Sequence, residues 1–250
     1  MKKILPFLLL ILGILVLASA YFLVIKPKNE SIKENNTQEE VVPEVPIEQR
    51  PIVSLTPSND GHWLTLEIKD IRISAENLEY LLLYDLPDGR QQGVPGTVKL
   101  AGENMIERKL LLGSESSGKF RYDEGVEKGT ITIKFRDKQG KLVAKFSGDF
   151  HLQNGTDNLS SVDGSFTFKL SKIPKTGYFV IMETFGIPEG LLRNDISFGP
   201  YGLYSSSDIN AEGNISMQAY PIYYWNGKEW IQYNDSTPIN IGDLIVVGFH

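Results

Sequence analysis

The 250-residue chain contains no cysteine. That excludes disulfide staples, thiolate nucleophiles, cysteine-ligated zinc and a lipid-bearing cysteine anchor. Stability must therefore come from packing or from bound ions. Histidine is almost as scarce: His62, His151 and His250 are the whole supply. A serine triad needs a nucleophile, a base and an orienting acid together. The serine-rich stretch 113–118 lacks the Gly-x-Ser-x-Gly elbow, and no HExxH, phosphate loop or dinucleotide glycine pattern occurs. Carboxylates such as Asp123, Glu124, Asp149 and Asp163 are plentiful, but no spacing pairs them for acid–base work. Each reads as a solvated turn acid. Nothing in the sequence names a reaction, so the expected protein is more a binder than an enzyme.

Residues 1–29 hold four of the 25 basic residues and no acid, which leaves 21 basic against 31 acidic residues, a net charge of −10, for the rest. That balance argues against nucleic acid and against lying flat on anionic lipid. It suits a cationic partner, or simply solubility.

What is present begins with a membrane segment. Residues 4–25 form an uncharged apolar run of 22 residues, flanked by Lys2 and Lys3 on one side and Lys26 and Lys28 on the other. At about 1.5 Å rise per residue such a helix spans about 33 Å, enough for a hydrocarbon core of about 30 Å. The expected layout is a cytoplasmic stub at 1–3, a transmembrane signal-anchor at 4–25, a disordered tether at 26–50 and an extracytoplasmic domain at 51–250. Ala18-Ser19-Ala20 also fits a signal-peptidase site, and cleavage after Ala20 would give a secreted protein. Both readings export the domain. The missing cysteine suits a bacterial or archaeal envelope. The tether carries six glutamates and Pro27, Pro43, Pro46 and Pro51, with too little apolar surface to offset its ordering entropy.

From Ile52 onward the dominant hydrophobic period is two. Leu64, Leu66 and Ile68 alternate with polar residues, and the phase shift at Lys69-Asp70 predicts a bulge or bend. Ile131, Ile133 and Phe135 face Leu142, Ala144 and Phe146 across a turn at 137–140. Phe166, Phe168 and Leu170 form another strand, and 178–183 another. The stretch 186–214, rich in Gly, Ser and Asn, is expected to be a long loop. The strand and turn spacing is similar to that of immunoglobulin-like and fibronectin-III-like modules of bacterial surfaces, without the Cys–Trp–Cys core. The expected fold is all-β, an antiparallel immunoglobulin/fibronectin-III-like sandwich behind an N-terminal transmembrane helix. It forms one unit of about 200 residues, or two lobes divided near 172–177.

The sharpest local signal is YPIYYWNGKEWIQY at 220–233. Asn226-Gly227 predicts a two-residue type I′ turn, with Trp225 opposite Lys228 and Tyr223 opposite Trp230. One face then carries Tyr223, Trp225, Lys228, Trp230 and Gln232, a candidate platform for stacking sugar or peptide. Tyr201 and Tyr204 join it as candidate binding residues, since the last fifty residues hold eight of the fourteen Tyr and Trp. Cross-strand ring pairs that merely cover a core are the competing reading. No organic cofactor is expected. Asp208, Asn210, Glu212 and Asn214 resemble part of a calcium loop, although Ala219 stands where a closing Glu belongs. The expected function is a membrane-anchored envelope protein for non-catalytic binding, adhesion or scaffolding, with an envelope glycan or protein as partner. The alternative is a carbohydrate-binding or carbohydrate-active surface protein built on hairpin 220–233.

Overall fold

The computed structural model describes residues 42, 44–191, 195–206, 209, 211–242 and 244–250. The apolar run at 4–25 lies outside the described residues. Among the described residues no helix is long and apolar enough to cross a membrane.

The unit Val42–His250 is all-β and its strands pair antiparallel throughout. In chain order the strands are β1 (Ile52–Pro57), β2 (Trp63–Lys69), β3 (Asn77–Asp85), β4 (Gln91–Lys99), β5 (Ile106–Leu111), β6 (Gly113–Ser116), β7 (Lys119–Tyr122), β8 (Lys128–Arg136) and β9 (Leu142–Gln153). They continue with β10 (Asn158–Ser160), β11 (Phe166–Leu170), β12 (Phe179–Glu183), β13 (Phe198–Ser205), β14 (Glu212–Met217), β15 (Ile222–Trp225), β16 (Trp230–Gln232), β17 (Ile239–Asn240) and β18 (Leu244–Gly248). Nine of them make one long sheet in the order β16-β15-β18-β13-β12-β9-β8-β3-β4. The three-stranded sheet β1-β2-β5 packs on one face of it, and the four-stranded sheet β10-β11-β14-β17 packs on the other face. β6 and β7 stand apart as a hairpin.

The period of two explains the layering. Leu64, Leu66 and Ile68 of β2 are fully buried and meet Leu78 and Leu82 of β3, Ile131, Ile133 and Phe135 of β8, and Phe150 of β9. On the other side Phe166, Phe168 and Leu170 of β11 meet Leu203 of β13 and Leu244 and Val246 of β18. β12 serves both cores. Val180 and Met182 enter the first, Phe179 and Ile181 the second. The segment 171–178 carries the chain from the four-stranded sheet into β12, beside the division expected near 172–177.

Two expectations are revised and one is narrowed. The stretch 186–214 is not one long loop, because β13 runs through it at the centre of the long sheet. Its Gly202 is covered by the Tyr204 ring, where an added Cβ would come within 2.3 Å of the phenol oxygen. Of the bulge or bend expected at Lys69-Asp70 the structure keeps the bend: β2 stops at Lys69 and Asp70 turns with a φ of +54°. Finally, the composition of 44–50 reads as tether, yet this segment lies against the folded unit. Arg50 Nε donates to the Val45 carbonyl at 2.6 Å, Arg72 donates to the Glu48 carbonyl at 2.6 Å, and Val45 and Ile47 pack on buried clusters.

Phe150 and Phe168 each fill a different core, and truncating either to Ala should cost about 3–5 kcal/mol. Because β12 is common to both cores, Phe150→Ala and Phe168→Ala should each shift one and the same urea transition. Coincident curves by far-UV circular dichroism and tryptophan fluorescence are expected; two resolved transitions would mean that the halves unfold independently.

Candidate functional site

The aromatic hairpin forms, with its register shifted by two residues. Trp225 pairs with Trp230, Tyr224 with Ile231 and Tyr223 with Gln232. The cause is Asn226. Its side-chain oxygen accepts the amides of Lys228 and Glu229, each at 2.9 Å, and its own N–H donates to the Glu229 carbonyl at 3.3 Å. Gly227 takes a φ of +90° but Asn226 does not go positive. A type I′ turn needs positive φ at both central residues, so glycine instead occupies the first central position of a turn spanning 226–229. A shift of two keeps every side chain on its predicted face.

The face bearing the tryptophans is partly covered. Tyr223 meets Phe249 edge to face at 5.7 Å, and Trp230 Nε1–H donates to the Pro188 carbonyl at 3.1 Å. Both lie against the small cluster of Ile187, Val247 and Phe249. Trp225 tilts over Trp230 at 5.8 Å and stays half-buried, while Lys228 and Gln232 are exposed. Tyr201 and Tyr204 are interior. Tyr201 stacks on Phe166 and its hydroxyl donates to Asp163 Oδ2 at 2.7 Å. The Tyr204 hydroxyl donates to the Val53 carbonyl at 3.4 Å, in the opposite core. The structure therefore brings Tyr223, Trp225, Trp230, Lys228 and Gln232 together and leaves Tyr201 and Tyr204 elsewhere.

The hairpin's other face borders a cleft of about 510 Å³. Tyr224, Ile231 and Ile239 supply its apolar side, while Trp225, whose ring lies on the opposite face against Trp230, only borders it. Asn226, Asn234 and Asn240 supply polar groups, and no charged residue is among the described residues that line it. The Asn226 oxygen is committed to backbone amides, and the Asn234 oxygen accepts from the N–H and hydroxyl of Ser236 at 3.2 and 3.0 Å. Their NH2 groups are left as donors. Reasoning from the sequence stopped at the tryptophan-bearing face. The missed signal was the density of Asn and Thr between 226 and 240.

A second group of exposed rings was missed altogether. Ser117 and Gly118 have φ of +52° and +74°, so β6–β7 closes through a type I′ turn. The hairpin carries Phe120 and Tyr122 beside Trp63 and His62. The alternation Lys119-Phe120-Arg121-Tyr122 after Ser117-Gly118 was the available sign.

Among the described residues the acid–base groups do not assemble into a triad. His151 Nδ1 lies 2.8 Å from the Ser160 carbonyl, so that nitrogen carries the proton and cannot deprotonate the Ser160 hydroxyl at 3.5 Å. Burial pushes the His151 pKa down. His62 sits between Asp60 and Glu124, 3.3 Å from each, while the Ser58 hydroxyl donates to Asp60 instead. Among the described residues no three His, Asp or Glu side chains converge to hold a metal. Of the calcium-like stretch, Asp208 and Asn210 lie outside the described residues. Glu212 and Asn214 sit two apart on β14, and the Asn214 oxygen accepts the Tyr233 hydroxyl at 3.5 Å.

Two carboxylates, Glu183 of β12 and Asp163 in the turn between β10 and β11, feel opposite environments. Burial raises the Glu183 pKa, and the charges of Asp163 and Asp149 raise it further. Burial also works against Asp163, but hydrogen bonds from Ser161, Ser165 and Tyr201 outweigh it and hold this carboxyl below the ordinary aspartate range.

No protein-family model matches the chain, and no curated protein matches it.

A raised pKa means that the folded state binds the Glu183 proton more tightly than the unfolded chain does. The carboxylate therefore lowers stability as pH rises through and above the ordinary glutamate range. Glu183→Gln should raise the melting temperature at pH 7 and change it little near pH 4. For Asp163 the sign reverses: its stabilisation is present above the ordinary aspartate pKa and is lost on acidification. Asp163→Asn should lower the melting temperature at pH 7 and matter less below pH 3. Thermal melts across that range check both signs.

Proposed function

We propose that the chain is a membrane-tethered, extracytoplasmic binding module of the cell envelope that takes a neutral glycan in the cleft beside hairpin 220–233. The observation that carries the ligand class is the lining: aromatic and aliphatic surface on one side, uncharged amides on the other. A sugar ring has apolar C–H faces that pack on Tyr and Trp and hydroxyls that both donate and accept. Fixed amide NH2 groups with amide carbonyls nearby match such hydroxyls, whereas an anionic ligand would find no cation. The hairpin provides a stiff frame, since β15 is hydrogen-bonded between β16 and β18.

The tethering half of the reading is supported by the uncharged run at 4–25 and its lysine flanks. Layered antiparallel sheets support a two-lobed sandwich, and the finer likeness to immunoglobulin and fibronectin-III modules rests on strand spacing.

Titrating the full chain in a non-ionic detergent with chitohexaose and other neutral envelope oligosaccharides should give a saturable change in tryptophan fluorescence. Tyr224→Ala and Asn240→Ala should each weaken binding by about tenfold, some 1.4 kcal/mol, without loss of the folded state. A flat response to every neutral oligosaccharide would sink the glycan reading. Mass spectrometry of the mature protein should find the N-terminus at or beside Met1; a start at Tyr21 would replace the tethered protein with a secreted one.

A further inference from the structure

A second surface, separate from the cleft, lies at the far end of the three-stranded sheet. The rings of Trp63, Phe120, Tyr122 and His62 adjoin in series. Trp63 meets Phe120 edge to face at 5.6 Å, Phe120 and Tyr122 lie parallel at 6.2 Å, and Tyr122 stacks on His62 at 4.2 Å. Phe120 is 45 % exposed and Tyr122 38 %. Single exposed rings are ordinary, but contiguous ones on a projecting hairpin mark an interaction site.

The register of the hairpin sorts its charges. Phe120 opposes Glu115 and Tyr122 opposes Gly113, so Glu115 shares the aromatic face. Lys119 and Arg121 pair with Ser116 and Ser114 and alternate onto the other face. His62 adds Asp60 and Glu124, each 3.3 Å from one of its ring nitrogens, with side chains 57 % and 82 % exposed. The ring face is therefore bordered by three acids, and the two bases of β7 point the other way. Aromatic faces attract cations through their quadrupole, and flanking carboxylates add ion pairs.

We propose that this aromatic–acidic face docks a cationic polypeptide segment, one that presents arginine or lysine to the rings of Phe120 and Tyr122. The excess of acid over base beyond residue 29 steers such a partner toward the unit. The same acids repel anionic lipid and nucleic acid. Position agrees with an outward partner. The segment 44–50 joins the unit at the Ile52/Lys69 end of the β1–β2 pair, whereas His62 and Trp63 mark the opposite end, one β2 length away, roughly 20 Å. The face is thus turned from the point where the chain enters the unit.

Fluorescein-labelled hexa-arginine, followed by anisotropy with the full chain at about 0.15 M salt, where long-range attraction is screened beyond about 8 Å, tests this. Saturable binding is expected. It should weaken about tenfold in Phe120→Ala with Tyr122→Ala, and similarly in Glu115→Gln with Glu124→Gln, but not in Trp225→Ala. Should the ring variant fail to fold, the charge variant decides, because both glutamates are exposed. Absent binding overturns the proposal. So does binding that survives the substitutions, which reports only diffuse attraction to an acidic chain, and so does competition by chitohexaose equal to that by unlabelled hexa-arginine.

Discussion

Burial of β12 on both faces is the constraint on which the rest of the unit depends. Phe179, Val180, Ile181 and Met182 are at most 1 % exposed, and they alternate between two cores. Both edges of the strand are hydrogen-bonded, to β9 and β13. From Phe179 to Met182 such a strand has no room for an unpartnered polar side chain, and this stretch is a continuous apolar run although every neighbour is antiparallel, with Glu183 half-buried at its end. Just past its end, Thr184 supplies a polar link outward: its hydroxyl oxygen accepts the Val53 amide at 3.0 Å and ties β1 to the long sheet. The three-stranded and four-stranded sheets each find their apolar partner on this strand and its neighbours, so neither layer has a complete core without it.

Strands that pack one clean face were legible in the sequence. β2, the β8–β9 hairpin and β11 follow the alternation residue by residue, and Asp137 closes the β8–β9 turn by accepting the amides of Gln139 and Lys141. β13 was hidden because its composition answers to neighbours that local sequence does not reveal. Gly202 leaves room for the Tyr204 ring, and Pro200 stands where the pairing with β18 skips between Phe198 and Tyr201. The segment 44–50 was hidden for the same reason. Its proline and glutamate suggest disorder, but its anchors, Arg72 and the buried cluster near Val247, lie far away in sequence. Periodicity reports the face that a strand buries, and it is silent on contacts whose other half is a hundred residues distant.

The two hairpins show how far turn chemistry carries. Asn226-Gly227 promised type I′ and Ser117-Gly118 did not, yet only the second turn places both central residues at positive φ. In the first, the Asn side chain found two backbone amides within its own turn, a local competition that the dipeptide rule does not weigh. The faces survived, so the ring positions expected from the sequence were right even where the pairs were wrong. The fate of each ring was then set by what layers over it. Tyr201 and Tyr204, counted with the hairpin by proximity in sequence, turn into separate cores, and Trp230 is fastened to the carbonyl of Pro188.

Where the long sheet has no covering layer, β8 and β9 are polar, while Leu81 and Leu83 of β3 lie half-buried on the same face beside Gly93. The outer face of β8 and β9 carries Thr130 bonded to Asp149 and Thr132 bonded to Ser147, and Arg136 bridges to Glu79 of β3 at 2.8 Å. The edge strand β4 carries Pro95 opposite Leu81, which removes one donor from an otherwise open ladder. β8 and β9 thus match composition to exposure on their open face. Against that background, Phe120 and Tyr122 are not the remainder of an unfinished layer, since an uncovered hairpin needs only polar side chains to stand in water. Rings kept there, with acids on their face and bases on the other, cost solubility for no gain in core. That cost is offset when a partner covers them. The cleft beside hairpin 220–233 has no charged residue among its described lining residues and shares none of them with this acidic ring face, so the two surfaces differ in chemistry.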